Sequence, residues 1–265
     1  QNSDLIILAG RPSMGKTALA TTIAYKAAKN FLYEAGESKP KSVAFFSLEM
    51  SNEQLATRIY AAEADINSSS IMRGRLSDNQ FNHLISTGNL IENIPFLGDD
   101  TAGISISSLC AKARRFKRTH NIGLIVVDYL QLVTTGNNKN FNRVQEVSEI
   151  TQSLKGLAKE LNVPVIALSQ LSRDLEKRDD KRPLLSDLRE SGSIEQDADV
   201  VMFVYREQYY LERSKPEQGT PKFAIWQEEY DKVIGKADII VAKQRHGAIG
   251  TVTVKFDGDK TRFKD

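Results

Sequence analysis

Residues 10–17, near the start of the chain, read GRPSMGKT and satisfy the pattern G-x-x-x-x-G-K-[ST] of phosphate-binding loops. Glycines let backbone N–H groups turn inward around an anion, and the N-terminus of the following helix adds partial positive charge. The pattern predicts that Lys16 reaches the β- and γ-phosphates of a nucleotide and that the Thr17 hydroxyl binds Mg²⁺. The expected nucleotide contacts are Gly10, Ser13, Met14, Gly15, Lys16, Thr17 and Ala18.

The alternative is a glycine-containing turn that carries Lys-Thr by chance. An apolar strand pattern precedes the loop, and an alanine-rich helical pattern over residues 17–29 follows it. This strand–loop–helix context favours the phosphate-binding interpretation.

Asp128 ends the most apolar run of the chain, residues 122–127, as the aspartate of a Walker B strand does. We expect it to hold Mg²⁺ through water while Thr17 holds the ion directly. An aspartate after an apolar run is also typical of a simple strand end. The metal-binding interpretation therefore depends on the phosphate-binding loop.

Two further polar residues follow apolar runs. Glu49 comes after residues 43–48 and could accept a proton from the water that attacks the γ-phosphate; alternatively, it stabilises the N-terminus of a helix that starts near Ser51. Gln170 comes after residues 163–168 and could sense or orient the γ-phosphate. Its alternative is an exposed amide at a strand end.

Lys243 and Arg245 lie in a basic stretch, residues 243–247, between two short apolar runs. The pattern predicts a hairpin turn. A guanidinium supplied there to a neighbouring subunit could stabilise transition-state charge. A solvated basic turn is equally compatible with the sequence.

Parallel strands would bring these residues together. Apolar runs of strand length alternate with helical patterns, and the last two runs, residues 238–242 and 251–256, indicate a hairpin. This order predicts an α/β fold with a mostly parallel sheet, flanking helices and a C-terminal antiparallel hairpin. Gly10, Glu49, Asp128 and Gln170 fall at predicted strand ends, where such sheets bind ligands.

Local signals are uneven along the chain. Capping-box patterns at residues 51–54 and 77–80 predict helix starts. Residues 188–193 form a polar segment. Residues 207–236 are highly charged and support no prediction of structure.

Composition narrows the classes of protein. The 265 residues are 40% apolar and 26% charged, with a net charge of +2, as in ordinary globular domains. The single cysteine excludes a disulfide framework and indicates a reducing, cytoplasmic compartment. The three histidines are far apart in the sequence and form no zinc pattern. Neither a signal peptide nor a membrane-spanning run is visible, so no membrane partner is expected.

Six motifs resemble those of the bacterial replicative DNA helicase family, DnaB-type. They occur in the family's order and are GRPSMGKT (10–17), FSLEMS (46–51), VDYLQL (127–132), LSQLSR (168–173), DLRESGSIEQDAD (187–199) and KQRHG (243–247). The resemblance implies one RecA-like ATPase domain over residues 1–265, from a chain that also has an N-terminal domain and a linker helix.

The resemblance also implies functional assignments. Lys16, Thr17 and Asp128 would form the ATP·Mg²⁺ site, with Glu49 as catalytic base and Gln170 as γ-phosphate relay. Lys243 and Arg245 would act across a subunit boundary of a homo-hexamer. A channel-facing loop, residues 189–193, with Arg189, Glu190 and Gly192 would hold single-stranded DNA. The resemblance further implies 5′ to 3′ translocation, and a primase and a helicase loader as partners.

Three other functions fit parts of the pattern. A RecA-like recombinase shares the fold and the position of Glu49, but the motifs after Gln170 argue against it. A small-molecule kinase would need an arginine-bearing lid over the loop, which the sequence does not show. A nucleotide-gated assembly module would tolerate the change Glu49→Gln, whereas a motor would keep ATP binding and lose turnover.

Overall fold

The computed structural model describes residues 1–36, 38–136 and 142–264, and for residues 189–193 it describes the backbone without the side chains. Its strands are β1 (Leu5–Gly10), β2 (Ser42–Ser47), β3 (Phe96–Asp99), β4 (Ile122–Asp128), β5 (Val165–Gln170), β6 (Val200–Tyr205), β7 (Lys236–Gln244), β8 (Gly250–Asp257) and β9 (Arg262–Lys264).

The α-helices are α1 (Lys16–Ala35), α2 (Asn52–Glu63), α3 (Ser68–Met72), α4 (Asp78–Ile91), α5 (Ile106–His120), α6 (Arg143–Leu161), α7 (Gly192–Asp197), α8 (Glu207–Arg213) and α9 (Pro221–Val233). Short 3₁₀ helices cover Leu130–Leu132, Arg173–Lys177 and Leu185–Ser191. In the described ranges, no helix is both long enough and apolar enough to cross a membrane.

The strands form one sheet in the order β3-β2-β4-β5-β1-β6-β7-β8-β9. The first six strands of this order run parallel, and β7, β8 and β9 continue the sheet antiparallel. The predicted α/β fold with a mostly parallel sheet and a C-terminal antiparallel hairpin is confirmed.

The central parallel strands are buried on both faces, which explains why they read as nearly continuous apolar runs. Every residue of β2 is buried, and β4 lies between β2 and β5 with six of its seven residues buried. Helices α5, α6 and α7 cover one face, and α1 and α2 cover the other. The sheet therefore separates two hydrophobic layers and fixes the direction of each strand end.

Local signals place several helix starts. Ser51 and Ser77 form the predicted capping boxes at α2 and α4, with Gln54 and Gln80 as partners. Helix α1 extends to Ala35, six residues beyond the predicted end at residue 29.

The loop that the resemblance implies at residues 189–193 is wrong, because the backbone there is helical. These residues belong to the 3₁₀ helix Leu185–Ser191 and to α7. Leu188 and Ile194 are buried on either side of the segment and hold it against the core. Such long-range burial is not visible in the local polarity of the sequence.

The antiparallel end of the sheet is longer than predicted. Strand β7 includes Lys243, which we expected in the turn, and β9 was not predicted. Residues 207–236, for which the sequence supported no prediction, contain α8 and α9. Trp226 of α9 is buried and donates to the Leu211 carbonyl at 2.8 Å, which joins the two helices.

Candidate nucleotide-binding site

A cleft of about 400 Å³ lies at the carboxyl edge of the parallel strands. Residues from five parts of the chain line it: Pro12, Ser13, Gly15, Lys16, Thr17, Ala18, Glu49, Met50, Arg58, Asp128, Tyr129, Gln170, Phe256 and Thr261. The structure thus brings together the loop at residues 10–17 and the polar residues that follow three strands.

The register of the parallel strands produces this convergence. Gly10 pairs with Gln170 across β1 and β5, and Ser47 pairs with Asp128 across β2 and β4. Glu49 follows β2 by two residues and is exposed. Adjacent parallel strands that end at the same level leave their terminal side chains at one edge.

The backbone of the phosphate-binding loop adopts positive φ angles, which glycine allows. Gly15 has φ of +95°, in the region that glycine adopts without steric cost, and Ser13 has φ of +66°. A Cβ on Gly10 would lie 3.0 Å from the Val204 carbonyl oxygen, so β6 leaves no room for a side chain there. Met14 is buried in the core and anchors the loop between Gly10 and Gly15.

Lys16 points into the cleft and donates from Nζ to the Arg11 carbonyl at 3.1 Å. Burial lowers the pKa of Lys16 to about 8, although the nearby carboxylates of Asp128 and Glu49 act in the opposite direction. A partly desolvated ammonium group has a stronger electrostatic interaction with phosphate than one in bulk water.

Asp128 is almost fully buried, and burial raises its pKa to about 6, against a hydrogen bond from Thr17 and the charge of Lys16. Among the described residues, its Oδ2 atom has no hydrogen-bond partner. A carboxylate oxygen of this kind beside a threonine hydroxyl suits Mg²⁺, which prefers oxygen ligands.

The rest of a magnesium site would come from other sources. No three His, Cys, Asp or Glu side chains gather into a metal site in the parts of the chain that are described. Magnesium commonly keeps several waters and binds one or two carboxylates together with substrate phosphates. Thr17 and Asp128 therefore fit the metal as partial ligands.

Arg58 of α2 also lines the cleft, and the sequence analysis missed it. Burial lowers the pKa of its guanidinium, while the carboxylates of Asp128 and Glu49 raise it. Arg58 lies three residues after Leu55 and one before Ile59, both buried. Its position on the core-facing side of an amphipathic helix was the feature of the sequence from which Arg58 could have been predicted to lie in the site.

Hydrogen bonds from the Gln131 side chain hold the end of β5 in place. Its Nε2 atom donates to the Ser169 hydroxyl at 3.0 Å and its Oε1 atom accepts from the Gln170 backbone at 3.3 Å. Arg11 contributes from the other side, donating to the Leu171 carbonyl at 3.0 Å and forming an ion pair with Glu176 at 2.9 Å. The backbone around Gln170 is therefore held on both sides, with its side chain in the cleft.

The C-terminal strands β8 and β9 form a wall of the cleft, which the sequence analysis did not predict. A Cβ on Gly15 would lie 3.1 Å from the Phe263 ring and 3.3 Å from the Phe256 ring. Arg206 donates to the Ser13 carbonyl at 3.2 Å and lies over the Phe256 ring, 4.2 Å from its centroid. The phosphate-binding loop is thus packed against β8 and β9.

Lys243 and Arg245 do not line this chain's cleft. Their side chains lie against α7, on the carbonyls of Glu195 and Gln196. Arg189, Glu190 and Gly192 lie in the segment whose side chains are outside the description, so only their helical backbone is placed.

The fold and the cleft define an α/β protein with a phosphate-binding loop at the edge of a RecA-like sheet. The model of the DnaB-like helicase C terminal domain family matches residues 1–265. The chain belongs to this family.

Curated relatives agree. The chain is 53% identical over 264 residues to the replicative DNA helicase DnaB of Rickettsia typhi and 46% identical over 263 residues to that of Geobacillus stearothermophilus. Both alignments cover 99% of this chain, and they cover 53% and 52% of those proteins. The chain therefore spans about half the length of the curated relatives it matches.

Solved structures agree as well. A DnaB-like replicative helicase, described with its interactions with primase, aligns with a TM-score of 0.84 at 35% identity over 99% of this chain and 57% of that one. The ATPase domain of G40P aligns with a TM-score of 0.82 at 34% identity over 99% of this chain and 84% of that one.

Proposed function

We propose that this chain is the ATP-hydrolysing motor domain of a replicative DNA helicase, active as part of a homo-hexameric ring on single-stranded DNA. The observation that supports it most directly is the convergence of Lys16, Glu49, Asp128 and Gln170 in one cleft behind the phosphate-binding loop. The family and the relatives with helicase names support the same assignment.

In this proposal the loop backbone holds the phosphates, and Lys16 neutralises charge on the β- and γ-phosphates. Thr17 and Asp128 would hold Mg²⁺, which supplies charge neutralisation at the phosphates when bound. Glu49 accepts a proton from the attacking water, and its exposed position leaves it accessible to solvent. Gln170 and Arg58 contact the γ-phosphate, where charge develops during cleavage.

The neighbouring subunit completes the site. The cleft opens to solvent, and the basic side chains Lys243 and Arg245 lie elsewhere on the chain. We infer that they reach the nucleotide of the next subunit, where an arginine can raise phosphoryl-transfer rates by about 10³–10⁵. This arrangement makes turnover depend on ring assembly.

DNA binding is assigned to residues 189–193, including Arg189, Glu190 and Gly192. Buried Leu188 and Ile194 bracket this segment, which leaves it attached to the core at both ends. Contacts to phosphates from one subunit are few, and a ring would repeat them along the strand. The proposal also includes translocation from 5′ to 3′, binding of a primase and a helicase loader, and a cytoplasmic location.

The test is phosphate release from ATP, with and without single-stranded DNA, alongside particle mass from light scattering. We expect DNA-stimulated turnover from a hexamer, and its loss in Arg245→Ala. Arg118→Ala, at an exposed arginine of α5, is the matched control and should behave as wild type. A monomer that turns over rapidly and ignores DNA would contradict the motor. Phosphorylated small molecules instead of free phosphate would identify a kinase.

A further inference from the structure

Lys243 and Arg245 hold the C-terminal end of α7 within their own chain. Lys243 Nζ donates to the Glu195 carbonyl at 2.6 Å, and Arg245 Nη2 donates to the Gln196 carbonyl at 2.9 Å. The Arg245 backbone N–H also donates to the Asp199 carbonyl at 2.9 Å. Three donors from the end of β7 and the turn that follows therefore converge on the chain just after residues 189–193.

These contacts satisfy groups that the helix cannot satisfy itself. The last carbonyls of a helix have no partner inside it, and they carry the negative end of the helix dipole. Two cations placed there donate hydrogen bonds and complement the dipole. Because α7 has only six residues, it depends on such outside contacts for its stability.

The same corner is tied to the sheet. Asp199 accepts from the Leu5 backbone at 2.8 Å, forms an ion pair with Lys155, and lies 3.6 Å from Arg245 Nε. Burial would raise the pKa of Asp199, but its hydrogen bonds to Lys155 and Leu5 and the charge of Arg245 outweigh burial and lower it. Arg245 thus links α7 to the start of both β1 and β6.

Two other contacts hold α7 without these cations. Ile194 is fully buried in the core, and the Thr151 hydroxyl donates to Asp197 Oδ2 at 2.9 Å. The Arg245 side chain, by contrast, is 46% exposed. It can leave α7 without uncovering the core.

We propose that Lys243 and Arg245 are positioning residues for α7, and through it for residues 189–193, in their own subunit. This inference rests on the proposed function for the role of residues 189–193. It adds that a subunit whose two cations engage a neighbour's nucleotide withdraws them from its own α7. Nucleotide in one subunit would then change the segment assigned to DNA in the next.

The test is amide hydrogen exchange on the nucleotide-free 265-residue chain, wild type against the double variant Lys243→Met and Arg245→Met. Without nucleotide the two cations have no phosphate to act on, so any change reports their role within the chain. We expect exchange at residues 195–198 to accelerate roughly three- to thirtyfold, the combined effect of two cations at a helix C-terminus. Exchange in the buried strand β5 should stay unchanged, which shows that the variant is folded.

Two further variants make the result decisive. Thr151→Val removes a different tie on α7, keeps both cations, and should also accelerate exchange at residues 195–198. Lys232→Met removes an exposed cation of α9 and should leave α7 unchanged. If Thr151→Val accelerates exchange and the double variant does not, the two cations do not position α7 and the inference is overturned.

If the double variant fails to fold, the single variants Lys243→Met and Arg245→Met are measured in the same way. Each should accelerate exchange by a smaller factor, and no acceleration in either would overturn the inference. Failure of the motor proposal would appear separately, as absence of DNA-stimulated phosphate release in the wild-type chain. The exchange result does not depend on that outcome.

Discussion

The parallel half of the sheet and its antiparallel extension contribute to the same cleft in different ways. The parallel strands β1, β2, β4 and β5 deliver Gly10, Glu49, Asp128 and Gln170 to one edge through their register. The extension, β7 to β9, covers that edge with the aromatic rings of Phe256 and Phe263. One region supplies reacting groups, and the other supplies a wall.

The two regions are also positioned by different forces. Each parallel strand end follows from its own apolar run and the helix after it, which are local features. The extension is held by contacts distant in sequence. Asp65, after α2, forms ion pairs with Lys260 at 2.8 Å and with Arg262, and Arg262 also donates to the Ala62 carbonyl. We therefore expect changes in the parallel half to alter the chemistry, and changes in the extension to alter stability and nucleotide binding together.

The largest expected effect belongs to the parallel half. Glu49→Gln should keep ATP binding and reduce turnover by about 10²–10⁴, because the amide cannot accept a proton from water. Phosphate release and binding of a fluorescent nucleotide measure the two quantities. Glu53→Gln, at an exposed position in the first turn of α2, is the control. An equal loss of turnover in Glu53→Gln would contradict the assignment of Glu49 as the catalytic base.

In the extension, Phe263→Ala should lower the free energy of unfolding by about 3 kcal/mol, because it leaves a cavity beneath the phosphate-binding loop. It should also weaken ATP binding, since the Phe263 ring packs against Gly15. Urea denaturation and nucleotide titration are the measurements. Val252→Ala on β8, with its side chain exposed, should change either quantity little. A stability loss with unchanged ATP affinity would contradict the prediction that the Phe263 ring supports nucleotide binding.

A third change should stabilise the protein. Asp128→Asn should raise the free energy of unfolding without nucleotide by about 1–2 kcal/mol at pH 7.5, because it removes a buried carboxylate. The pKa of about 6 in the folded state lies above the ordinary value of 3.8. The gain should therefore be complete above about pH 6 and shrink as the pH falls toward 4. Thermal unfolding across that range measures it, and a gain independent of pH would contradict this explanation.

The smallest expected effects compare the cap of α2, which follows a parallel strand, with the cap of α9, which precedes the extension. Ser51→Ala removes the capping box of α2 and should cost about 1 kcal/mol of global stability. Thr220→Ala removes the corresponding cap of α9 and should cost less, because α9 packs mainly on α8 and can fray locally. Urea midpoints compare the two variants. Equal costs would show that α9 unfolds together with the sheet.

Sequence alone predicted most of the parallel half for a physical reason. The phosphate-binding loop, the strand ends and both capping boxes are encoded in a few adjacent residues. The expectation of a loop at residues 189–193 was wrong because Leu188 and Ile194, on either side of it, are buried against distant parts of the chain. Strand β9 was missed because three residues carry too little periodic signal. Arg58 was missed although its place on a core-facing helix surface was readable.

The buried oxygen of Asp128 has a consequence for the lifetime of the protein. In the cleft, Asp128 Oδ2 lacks a hydrogen-bond partner among the described residues, and a desolvated Lys16 donates to a carbonyl of its own loop. Binding of Mg·ATP there would relieve unfavourable electrostatics that folding alone leaves in place. At a hundredfold excess over its dissociation constant, any such ligand adds about 2.7 kcal/mol to stability. Resistance to proteolysis should therefore rise and fall with the nucleotide supply.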